Sequence, residues 1–174
     1  MTRKLLLALP VLLGACAGLP ALAPVGESAS LPRDAVIGAG DPTRAAALSA
    51  GTAFTARGQM TGTLAQQARV IANMEYLAVN TRSPMLETAP PTLLPQLQAA
   101  RAEWRQVLSI PADAPAQTVV NQLYAAARAV EMGTQPPISL AALEARPALP
   151  RTAEAAATAA LAVQQRDRTE RAPR

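Results

Sequence analysis

The chain has 174 residues, half of them hydrophobic but only 2% aromatic, enough for one domain with a core of Ala, Leu, Val, Ile and Met. Histidine is absent and Cys16 is the single cysteine, which excludes an internal disulfide, the usual zinc and haem sites, and Ser-His-Asp or Cys-His catalytic units. The formal charge of +4 does not argue for a nucleic-acid partner, because the arginines are scattered, with no long basic run and no interleaved aromatics.

Arg3 and Lys4 precede an uncharged, mostly aliphatic run from Leu5 to Leu13, and Gly14 and Ala15 lead to Cys16. A basic start, an apolar stretch and small residues at its end are the parts of a secretory signal peptide. The quartet Leu13-Gly14-Ala15-Cys16 resembles the lipobox of bacterial lipoprotein precursors. That resemblance implies signal-peptidase recognition at Leu13, Gly14 and Ala15, cleavage before Cys16, and a diacylglyceryl group on the Cys16 thiol, with a further acyl chain on the new amino group. Two or three acyl chains give stable membrane attachment where one does not. Ala17 is not the aspartate that retains such proteins in the inner membrane of enteric bacteria, so the resemblance points to the outer membrane, facing the periplasm. An uncleaved membrane-spanning anchor is the competing reading, and Pro10, Pro20 and Pro24 would interrupt it.

Residues 1–15 are thus read as a leader and residues 16–40, rich in Pro, Gly, Ala and Ser, as the lipidated cysteine and a flexible tether. Asp41-Pro42 marks a helix start, with the helix expected over 42–57 and the small residues Ala47 and Gly51 allowing another helix close. A second helix is expected over 63–80, with Leu64, Ala68, Ile71, Met74 and Ala78 on one face and Gln66, Arg69, Asn73 and Asn80 on the other. Glu75 falls at the edge of the apolar face, where an unpaired carboxylate is costly. A third helix over 92–109 places Leu93, Leu97, Ala100, Trp104 and Leu108 together with Arg101 at their edge, so a Glu75–Arg101 ion pair is expected. Asp113 and Pro115 open a fourth helix that Gly133 closes, with Val119, Val120, Leu123, Ala127 and Val130 as its stripe. The fold expected is all-α, a small up-and-down bundle of about four helices over 41–133. Residues 134–174 are expected to hold a short helix at 139–145, an Ala-rich helix over 152–166 that docks loosely, and a basic, disordered tail.

The carboxylates show no spacing that favours acid–base work, and Glu75, Glu103 and Glu131 lack the Glu-x-x-His partners of a di-iron site. No phosphate loop and no Gly-x-Ser-x-Gly is present. No catalytic residue, metal site or cofactor is therefore expected. The reading is a non-enzymatic envelope lipoprotein acting as an accessory or scaffold through an envelope protein partner. The alternative is a binding module for a hydrophobic or envelope-derived ligand held between the helices, in a cavity lined by Met60, Met74, Val119 and Leu123. A hydrolase using Ser or carboxylates alone is a third class.

Overall fold

Helix α1 (Pro42–Gly51) starts where Asp41-Pro42 dictates. The Asp41 side chain accepts the Arg44 amide at 2.9 Å, and Pro42 occupies a position whose N–H has no helical partner. Helix α2 (Leu64–Val79) opens with a capping box, in which Thr63 accepts from Gln66 N and Gln66 in turn accepts from Thr63 N. The remaining helices are α3 (Leu93–Val107), α4 (Ala116–Glu131), the single turn α5 (Ala141–Glu144) and α6 (Pro150–Arg171), with short 3-10 turns at Arg33–Ala35 and Pro84–Leu86. This computed structural model describes residues 26–36 and 40–171, and over them the protein is all-α. Among the described residues β pairing is limited to the isolated bridges Phe54–Met60 and Gln59–Ala148.

Helix α2 is the axis of the assembly, in contact with α1, α3 and α4. Helix α6 lies against both α1 and α3, so α1, α2, α3 and α6 close a ring, while α4 packs on another side of α2. Contact on several sides buries α2 almost all round, including Asn73, which its helical phase assigns to a polar face. Asn73 is accommodated because its Oδ1 accepts the Tyr124 hydroxyl at 2.7 Å. The stripe positions Ile71, Met74, Leu97, Trp104, Val120 and Leu123 are buried, as their periodicity requires.

Two expected helix boundaries are corrected. The first helix ends at Gly51 instead of running to residue 57. Beyond it the Thr55 hydroxyl accepts from Arg57 N and Gln59 N, and Thr55 N and Thr61 N donate to Gln59 O and Ala53 O. These bonds give the backbone a loop in place of another helical turn. Asp113 does not cap α4; the helix starts at Ala116 after Pro115, and its first amide is held by Glu27. At its other end Gly133, at φ +67, turns the chain so that Thr134 N reaches Ala129 O at 2.8 Å.

Up to Arg171 the C-terminal segment is a closely packed helix, not a loosely docked one. Helix α6 runs to Arg171 and buries Ala155, Ala156, Ala159, Ala160, Ala162 and Val163. It approaches α1 so closely that a Cβ at Gly51 would lie 2.4 Å from the Ala160 Cβ. Its first turn is held by Glu103 of α3, which accepts from Arg151 N, Thr152 N and the Thr152 hydroxyl at 3.3, 2.8 and 2.6 Å. Near its end Asp167 pairs with Arg44 at 2.8 Å, and Arg166 pairs with Glu170 at 2.9 Å. The helical body therefore extends to residue 171, well past the boundary expected at 133.

The span expected as a tether is also shorter. Residues 26–36 lie on the body, with Ala29 buried and Leu31 packed against the core. Leu13, Gly14, Ala15 and Cys16 fall outside the described residues. Among the described residues no helix is long and apolar enough to cross a membrane.

Candidate functional site

The densest chemistry in the molecule is centred on Glu75, whose position on α2 points its carboxylate at one face of α3. Successive turns of α3 bring Arg101, Trp104 and Arg105 to that face. Glu75 is 0% exposed. Its Oε1 takes Arg101 Nε at 2.8 Å, Arg101 Nη2 at 2.7 Å and Arg105 Nη2 at 2.5 Å; its Oε2 takes Trp104 Nε1 at 2.9 Å and Arg105 Nε at 3.2 Å. The expected Glu75–Arg101 pair is present, and two further donors join it.

Arg105 uses its other donors on the loop after α3. Nη1 reaches Pro111 O at 3.0 Å and Ala112 O at 2.9 Å, and Nη2 reaches Ala114 O at 2.9 Å. One buried guanidinium thus ties α2, α3 and the connection to α4. Two arginines facing one carboxylate would leave a net positive charge in the interior. Glu27 supplies the balance: its Oε2 lies 3.0 Å from Arg101 Nη1, and its Oε1 accepts Ala116 N at 2.6 Å. Burial alone would push the Glu27 carboxyl up, but the Ala116 amide and Arg101 outweigh it and hold it below the usual carboxylate range. Burial likewise works against the charge of Arg101, and the hydrogen bond and charge of Glu75 more than offset it. The formal charges of the cluster cancel, Glu75 is satisfied on both oxygens, and Glu27 Oε2 meets Arg101 as an ion pair without a hydrogen bond of its own.

The other two helical glutamates are elsewhere. Glu103 caps α6, and Glu131 pairs with Arg69 through contacts of 2.5 and 2.6 Å. Among the described residues no group of three or more Asp, Glu or Cys could hold a metal ion. Burial raises the Tyr76 hydroxyl, which lies 3.0 Å from Thr43 Oγ1, and pushes the Tyr124 hydroxyl up to about 12.

Two surface pockets flank the cluster. One, of about 240 Å³, is lined by Gln98, Arg101, Arg105, Gln106 and Ile110. The other, of about 520 Å³, lies where α1, α2 and α3 meet residues 26–28, with Tyr76, Asn80, Arg82 and Leu94 on its walls. Met60, Met74, Val119 and Leu123 are all buried in the closed core, and none of them lines either pocket.

Comparison of the chain with known protein families, with curated proteins and with solved structures gives no match in any of the three. The functional reading therefore rests on the residues themselves. Arg105 escaped the sequence reading although it lies one helical turn beyond Arg101, and Trp104 carried its own signal, since a buried indole N–H needs an acceptor. Glu27 carried none, because its partners lie far along the chain.

Proposed function

We propose that the protein is a cell-envelope lipoprotein anchored through Cys16, and that its helical body serves as a non-enzymatic accessory or scaffold that works by protein contacts. The observation that carries this reading is the N-terminal pattern: Arg3 and Lys4, an aliphatic run, then Leu13-Gly14-Ala15-Cys16. Outer-membrane attachment facing the periplasm follows from the same resemblance. The scaffold role draws support from the buried charges, which are spent on joining elements, and from the burial of Met60, Met74, Val119 and Leu123 in the core. The four-helix up-and-down bundle over 41–133 remains part of this reading, with α6 packed on α1 and α3 beside it.

The test is a comparison of wild type with Cys16→Ser in a bacterial host. Wild type is expected to lose its leader, to gain the mass of the acyl chains and to partition with membranes. The variant is expected to keep its leader and to lack the added mass. Equal mass, processing and membrane retention in the two would reject lipid attachment.

A further inference from the structure

Residues 27–31 sit on the body much as a bound peptide sits on a receptor. The Glu27 side chain enters between Arg101 and the first amide of α4, with contacts of 3.0 and 2.6 Å. Two positions on, Ala29 is buried, in a slot that favours a small side chain. The main chain between and beyond is held by amide side chains: Asn80 Nδ2 donates to Ala29 O at 3.0 Å, and Gln117 accepts from Ser30 N at 2.7 Å while donating to Ser30 O at 3.1 Å. Main-chain contacts of this kind give affinity for any extended segment, and the carboxylate site and small slot give selectivity. Further along, Asp34 pairs with Arg128 at 2.7 Å on the exposed surface.

We propose that this groove is a recognition site for an extended acidic segment of a partner protein, with a carboxylate side chain followed two residues later by a small one, and that residues 27–31 are its resident occupant. Several of the segment's contacts are exposed hydrogen bonds, and besides the Glu27 ion pair it buries Ala29 and parts of Leu31 and Ala35. Such a segment belongs to the low-stability end of a fold and opens without the helices unfolding. The groove it vacates keeps Arg101, Asn80 and Gln117 in place, because α2, α3 and α4 hold them. This proposal does not depend on lipid attachment at Cys16.

The test uses the full chain and a dye-labelled synthetic peptide with the sequence of residues 26–36, followed by fluorescence polarisation. Two chain variants weaken the resident segment: Ala29→Arg, too large for its slot, and Glu27→Gln, which removes the charge on Arg101. Saturable binding is expected on both, about tenfold tighter than on wild type, where the resident competes. A peptide carrying Glu27→Gln is expected to bind about tenfold more weakly, the worth of a charge-assisted hydrogen bond. Absence of saturable binding to variants with the wild-type helical circular dichroism would overturn the proposal, as would binding indifferent to the peptide's carboxylate. Loss of the helical spectrum in both variants would make the segment part of the core and equally reject it. A wild-type dimer in light scattering that the Glu27→Gln variant lacks would assign the groove to a second copy of the chain instead.

Discussion

Glu75 illustrates what a single buried carboxylate demands of its neighbours. Removing its charge while leaving Arg101 and Arg105 in place strands two guanidinium groups in the interior, and breaking a buried pair in this way costs about 3–5 kcal/mol. Glu75→Gln is therefore expected to lower stability by about that amount in urea unfolding followed by Trp104 fluorescence. The Glu75→Gln, Arg101→Gln double variant should lose less than the sum of the two single losses, by about 0.5–3 kcal/mol. Strict additivity would show that the two residues do not act as a pair. This part of the site was legible from helical phase, since both residues fall at the edges of apolar stripes on amphipathic helices. Glu27 was not, because it lies in a Pro- and Ala-rich stretch without periodicity and meets the backbone of a residue 89 positions away.

The helices divide by how their buried faces are made. Stripes of Leu, Ile, Val and Met alternate clearly with polar residues, so the second, third and fourth helices could be placed within a few residues. Helix α6 buries mainly alanine, which contrasts little with its surroundings, and its docking depends on how closely a neighbour can come. Gly51 sets that distance. A methyl group there would lie 2.4 Å from the Ala160 Cβ, and neither backbone can yield without moving a helix. Gly51→Ala is expected to cost about 1–3 kcal/mol in thermal unfolding, as overpacking does. Adding Ala160→Gly should return part of that loss, less the roughly 1 kcal/mol penalty of glycine within a helix. A double variant as unstable as the sum of the single ones would show that the contact does not govern the approach of α1 and α6.

Across the molecule, carboxylates from one element hold the amides or guanidinium groups of another: Glu27 on α4 and α3, Glu103 on α6, Asp34 on α4, Glu131 on α2 and Asp167 on α1. The pairing with arginine holds Asp34, Glu131 and Asp167 below their usual range, and the Ala116 amide together with Arg101 does the same for Glu27. A carboxyl whose folded value lies below its unfolded one contributes stability above the unfolded value and loses it as pH falls through the folded value. For Glu27 the ordinary value is 4.5, so its hold on Ala116 is complete at neutral pH and fails in acid beneath that value. Hydrogen exchange is expected to show the Ala116 amide losing protection as pH is lowered below 4.5 while the centre of α2 stays protected, after correction for intrinsic rates. Glu27→Gln should flatten that difference; an unchanged profile would remove Glu27 from the explanation.

The seating of residues 26–36 also sets a leash length. On the lipoprotein reading, about ten residues separate Cys16 from Gly26, and a chain covers at most 3.3–3.6 Å per residue, so the body's attachment point stays within roughly 35 Å of the bilayer. With the segment lifted away, the free span from Cys16 to Gly40 is about 24 residues and reaches roughly 80 Å. Occupancy of one small groove would thus decide whether the helical body works against its own membrane or patrols the space beyond it.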